Sequence, residues 1–176
     1  MIGKTLFGAA CAAMIMAAAG VSSSAAYADT PRHFLTNAIK GDNSEIMLGR
    51  MAAIRGDSQS IREFGKTLVD DHRAARTQAE GVAQQLGVPI PRGSLAKAMN
   101  ERDRLSGLRS GQFDREFARY MMRDHQKDLA EFRQEAAAHQ GMVSRLAREQ
   151  IPTLQKHLDM ASALYREPRV AEVETR

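Results

Sequence analysis

The chain has one cysteine, Cys11, and no tryptophan. Cys11 falls in the N-terminal stretch that reads as a removable export signal, so the exported chain is expected to hold neither a disulfide nor a thiolate ligand. It would enter an oxidising compartment held together by its core alone. Any metal site must then be built from His, Asp, Glu or Met. No stretch alternates apolar and polar residues over a useful strand length, which argues against a sheet or barrel. Charge of one sign is never blocked: 25 basic and 21 acidic side chains are interspersed, for a formal net charge of +4. Nucleic-acid binding wants a basic stripe with stacking or base-reading groups. The three tyrosines and six phenylalanines are spaced like core residues instead, so no nucleic-acid partner is expected. Nucleophile motifs, a glycine-rich phosphate loop and a zinc-protease motif are all missing.

What is present begins with a short positive segment, Met1 to Lys4, then an apolar small-residue stretch from Thr5 to Val21, then Ala26-Tyr27-Ala28 before Asp29. This order is that of a secretory signal peptide over residues 1–28. The apolar stretch is short for a membrane span and runs into Ser and Ala rather than a charged stop, so no transmembrane segment is expected after signal removal. A lipoprotein site at Cys11 is disfavoured by Gly8, which stands where such a site wants leucine. The chain therefore divides into a signal peptide (1–28), one domain (29–166) and a flexible charged tail (167–176), and a periplasmic or secreted location is expected.

Helical period dominates the domain, and the good helix formers Ala, Leu, Met, Arg, Glu and Gln are abundant. A first helix is expected from Pro31 to Arg55, with Leu35, Ala38, Ile39, Ile46, Leu48, Gly49 and Ala52 on its apolar face and a weak, kink-prone Gly41-Asp42-Asn43. Ser58 is a good N-cap for a second helix to Leu86, and Gly87 with Pro89 and Pro91 ends it. A shorter helical segment, Ser94 to Arg109, reads as a crossover or lid. A third long helix is expected from Gln112 to Gln140, and a fourth from Met142 to Tyr165, with Pro152 weakening it locally. Four long amphipathic stripes bury one another most efficiently as a four-helix bundle.

One pattern occurs twice. Arg62-Glu63-Phe64-x6-Asp71-His72 reappears as Arg115-Glu116-Phe117-x6-Asp124-His125. Four ionisable residues lie on core stripes, one per long helix: Glu45, His72, His125 and His157. Each is close to mid-helix, and a mid-helix residue stays at mid-height whichever way its helix points. With a rise of about 1.5 Å per residue, a small boundary error moves a group only slightly. Three imidazoles and a carboxylate meeting in an apolar bundle suit one transition metal ion, zinc, iron or copper. Asp71 and Asp124 cannot face the histidines beside them in sequence, but each could accept an N–H from a histidine on a neighbouring helix and so fix its tautomer. Met47, Met51, Met121 and Met122 offer a Cu(I) alternative, set against ordinary core filling. The opposing reading is a metal-free structural or interaction module of the cell envelope, in which the Asp and His residues only specify packing and the partner is an envelope protein or a second copy.

The segments Leu68-Val69-Asp70-Asp71-His72, Met121-Met122-Arg123-Asp124-His125 and Leu154-Gln155-Lys156-His157-Leu158, with Phe113-Asp114-Arg115 and Gly87-Val88-Pro89-Ile90-Pro91, resemble the bacterial exported family called domain of unknown function 4142. The likeness covers nearly all of the chain after the signal. It implies a ferritin-like four-helix bundle with a short crossover helix between helices two and three, and no established activity. Ferritin-like metal enzymes place a Glu three residues before a His on two of their helices. Here those positions hold Val69 and Leu154, so a carboxylate-bridged di-iron centre, and the oxygen chemistry that goes with it, is not expected.

Overall fold

Runs of Ala, Leu, Met, Arg and Gln without β-branched clusters give helices of many turns, and in the computed structural model five α-helices make up the regular structure of the described residues, 23–138 and 140–166. They are α1 (Ser23–Arg55), α2 (Gln59–Gln85), α3 (Ala96–Ser106), α4 (Ser110–Ala138) and α5 (Met142–Arg166). No strand occurs among the described residues. The charged tail lies outside them, as does the signal peptide apart from residues 23–28. None of the described helices is long and apolar enough to cross a membrane.

The boundaries follow local chemistry. Ser58 is extended, with φ −77° and ψ 148°, and its hydroxyl accepts from the Ile61 N–H, satisfying one of the free donors of the first turn of α2. Gly87, at φ +63°, lets the chain leave α2 while the Val88 N–H reaches back to the Ala83 carbonyl at 2.8 Å. Three expectations shift. The first helix starts at Ser23 and passes through Pro31, because a proline removes only one donor from a long helix. Gly41-Asp42-Asn43 does not interrupt it either. Pro152 likewise sits inside a continuous α5.

α1 packs along α2, and α4 along α5; α2 also meets α5, and α1 meets α4. At Gly49 and Gly65 the first two helices touch backbone to backbone. A Cβ on Gly65 would stand 2.6 Å from both the Gly49 carbonyl oxygen and the Ala53 nitrogen. Only hydrogen fits there. At the turn between α1 and α2, Asp114 of α4 accepts the N–H groups of Asp57 and Ser58 at 2.8 and 2.7 Å. α2 and α4 therefore begin at the same level.

α3 touches α1 and α4. It is tied along α1: the Ser44 hydroxyl accepts from the Leu95 N–H at 2.9 Å, and Arg55 donates to the carbonyls of Leu105 and Leu108 at 3.3 and 2.9 Å. Apolar side chains form one cluster around Leu48, Phe64, Leu68, Phe117, Met121 and Ala161, and others around Leu35, Ile39, Ala79, Leu129, Phe132 and Leu154. Along each long helix a polar residue separates the two: Asp42, His72, His125 and His157, all buried.

Candidate metal centre

The repeated segment places two pairs face to face. Phe64 and Phe117 meet with ring centroids 6.0 Å apart and planes at 66°. His72 and His125 meet at 5.8 Å and 62°. The two copies thus pack one against the other with nearly the same geometry. His157 of α5 completes the group, with its ring centroid 5.2 Å from each of the other two.

One ring nitrogen from each of His72, His125 and His157 lies within 4.8 Å of the others. The remaining nitrogens are engaged outward. His125 Nδ1 donates to the Met121 carbonyl at 3.0 Å. His157 Nε2 donates to Asp71 at 2.8 Å, and His72 Nδ1 to Asp42 at 2.9 Å. Each proton is therefore drawn to the outside, and the lone pairs of His72 Nε2, His125 Nε2 and His157 Nδ1 are left inside. His125 Nε2 and His157 Nδ1 are 3.3 Å apart, and His72 Nε2 is buried with no hydrogen-bond partner.

Electrostatics keep His125 and His157 neutral. Burial pushes the His157 imidazole down to about 4, with help from His72 and against the pull of Asp71. Burial, then His72 and His157, hold His125 well below the usual imidazole range. The His157–Asp71 contact is accordingly a hydrogen bond to a neutral ring. The negative charge of Asp71 is met by Lys156 at 2.5 Å. Burial alone would raise Asp71; the bonds from Lys156 and His157 outweigh it and lower its value.

Only His72 of the three touches open space, at 5 % exposure against 0 % for His125 and His157. It lines a cleft of about 150 Å³ with Asp71, Gln78, Glu149 and Gln150, between α2 and α5. It also lines a second cleft, of about 190 Å³, with Asp42, Lys97, Asp128 and Phe132.

Of the four residues the sequence pointed to as ligands, three come together. The fourth, Glu45, is 1 % exposed but is not one of this group. Its electrostatic neighbours are Asp124, Asp128 and Lys97, and burial, then the two aspartates, drive its carboxyl well above the usual range. Asp71 does accept from a histidine on another helix. Asp124 instead receives the ammonium of Lys97 from α3. Neither arginine of the repeat pairs with these aspartates: Arg62 donates to the carbonyls of Gly56 and Asp57, and Arg115 lies over the Tyr165 ring at 4.8 Å. Asp42, Lys156 and Lys97 were not anticipated. Asp42 could have been found, since it precedes Glu45 by three on the buried face of α1. Nothing in the spacing of Lys97 marks it.

The described residues thus bring three buried imidazoles of a helical protein to one point, a group that could hold a metal ion. The chain belongs to the family described as Domain of unknown function (DUF4142), whose profile matches residues 16–164. No curated protein and no solved structure matches it.

Proposed function

We propose that this chain is an exported, ferritin-like four-helix bundle that holds one transition metal ion at His72, His125 and His157, for metal handling or envelope stress protection. In this reading α1, α2, α4 and α5 are the bundle, and α3 lies in the crossover between its second and third helices. The observation that carries the proposal is the division of the ring nitrogens: three face inward within 4.8 Å of one another, while the outer three are held by Asp42, Met121 and Asp71. Three lone pairs converging without a proton repel one another, and a cation relieves that repulsion.

Three imidazoles leave a fourth coordination position for water or an exchanging ligand, which suits a metal that must come and go. Zinc, iron and copper all accept such a set. The methionines lend no support to a thioether copper site: Met121 is fully buried, with Met47, Met51 and Met122 packed around the same apolar cluster, and it is the Met121 carbonyl that meets His125. Val69 is buried three residues before His72, and Leu154 three before His157, so the bridging glutamates of a di-iron centre have no counterpart there. Export rests on the charged, apolar and Ala-Tyr-Ala segments of residues 1–28.

The test is metal analysis of untagged protein purified from the exported fraction, with mass spectrometry of its N-terminus. One metal per chain, lost in His72→Ala and in His125→Ala, is expected. Sub-stoichiometric metal that ignores both substitutions would instead leave a packing role for the Asp and His residues, in a structural or interaction module.

A further inference from the structure

His72, Gln150 and Leu154 line both clefts and so stand between them, and an ion could approach the imidazoles from either side. His72 is also the ring whose inner nitrogen, Nε2, is buried without a partner, and such an orphan points to an unseen water or ion. The two approaches differ in charge. The cleft that holds Asp42, Lys97 and Asp128 is also lined by Lys127 and Glu131. An arriving cation would meet two ammonium groups there, and the carboxylates are already answered. Lys97 stands 3.9 Å from Asp128, Lys127 stands 3.4 Å from Glu131, and His72 Nδ1 donates to Asp42 at 2.9 Å. The cleft between α2 and α5 has no Lys or Arg among its described lining residues, and its carboxylates are Asp71 and Glu149. Glu149 is exposed. Lys156 and His157 both bond the same oxygen of Asp71, Oδ2, at 2.5 and 2.8 Å. The other oxygen, Oδ1, is left for a visitor.

We propose that the metal ion enters and leaves through the α2–α5 cleft, with Glu149 and Asp71 Oδ1 as the oxygens that pass it between solvent and His72. This rests on the metal reading of the histidine cluster and adds to it the direction of approach. A divalent cation concentrates in a cleft lined by charge of the opposite sign alone. Carboxylate oxygen suits a zinc-like ion less well than imidazole nitrogen, so the ion moves on to the rings instead of stopping at the mouth. Asp71 is placed for the transfer, because the carboxylate that holds the outer N–H of His157 also lines the cleft. Glu149 touches the ion only in passage. Its removal therefore raises the barrier without changing the end states, and entry and exit slow by the same factor.

The experiment follows Co²⁺ uptake by its visible absorption after rapid mixing, and Co²⁺ release into excess chelator, with stoichiometry and affinity measured at equilibrium. Glu149→Gln is expected to load one ion per chain at unchanged affinity, while entry and exit both slow by about three- to tenfold at low ionic strength and by less as salt is added. Glu131→Gln, at the other cleft, should leave both rates as in wild type. Both residues are exposed, so neither substitution threatens the fold. Full loading with Glu149→Gln rates equal to wild type overturns the route and leaves the metal reading standing, as does slowing by Glu131→Gln alone. A lower affinity with an unchanged entry rate in Glu149→Gln also overturns the route, since that marks a group acting on the bound ion and not on its passage. A wild-type chain that binds no Co²⁺ at equilibrium overturns the metal reading itself, and the route with it.

Discussion

His125 Nε2 and His157 Nδ1 face each other at 3.3 Å across the interface of α4 and α5, while the other nitrogen of each ring donates outward. A single proton would turn the contact into a hydrogen bond, and a metal ion would serve both rings at once.

The outer carboxylates should matter nearly as much as the rings. Asp71→Asn keeps the shape of the side chain but weakens the acceptor for His157 Nε2–H. Metal affinity is expected to fall by about 10–100-fold, with helical content unchanged. Competition against a chromophoric chelator measures it; an affinity equal to wild type would show that Asp71 does not tune the ring.

Metal retention should extend to unusually low pH. Protons compete with the metal for the inner lone pairs, and an imidazole held below its ordinary value stays unprotonated until the pH falls further. His157 is held at about 4 and His125 well below the usual range. Affinity between pH 6.5 and 5 should therefore decline far less than the roughly thousandfold per unit that three fully protonating ligands would give. Titration of zinc or cobalt across that range decides the matter.

Stability of the metal-free chain should respond to Asp128 in the opposite sense from an ordinary ion-paired aspartate. Burial and Asp124 push its carboxyl up to about 7. The folded state thus binds this proton more tightly than the unfolded chain, whose value is near the ordinary 3.8. Its contribution is fully favourable below the unfolded value and is lost as the pH rises through about 7. Asp128→Asn cannot ionise, so its stability relative to wild type should grow from pH 4 to pH 8. Urea midpoints of the two proteins, without divalent ions, give the comparison.

Gly65→Ala tests the backbone contact of α1 and α2. The added methyl meets two backbone atoms at 2.6 Å, and backbone cannot rotate aside as a side chain can. A loss of about 1–3 kcal/mol is expected, read as a lower denaturant midpoint. Gly81→Ala, where a Cβ would have nothing within 4 Å, is the control and should gain a few tenths of a kcal/mol, up to about 1, from helix propensity.

Much of this was legible because it is periodic. The stripes through Leu68, Phe117 and Leu154 specify helices directly, and Ser58 and Gly87 mark where α2 starts and stops. The three histidines could be read because each stands where a stripe demands an apolar residue. Glu45 satisfied the same rule, yet its carboxyl turns to Asp124. A stripe fixes the face of a helix but not which of several nearby polar groups a side chain meets. Asp42 hid in a Gly-Asp-Asn sequence that usually signals a break, because burial against α2 outweighs weak local propensity. Lys97 had no signal at all. Its role arises from the path of α3 along α1, which is fixed by long-range bonds from Ser44 and Arg55.

The grip of Asp114 on the turn before α2 reaches further than its two hydrogen bonds. It gives both copies of the repeated segment a common zero from which their residues are counted. A slip of α4 by one residue would lift His125 by about 1.5 Å and swing it about 100° around the helix axis, away from its partners. The accuracy of the histidine triangle is therefore set at a distance, by a carboxylate that touches none of its members. A loosened clasp would leave a chain that is fully helical and folded, and whose three imidazoles nonetheless no longer meet.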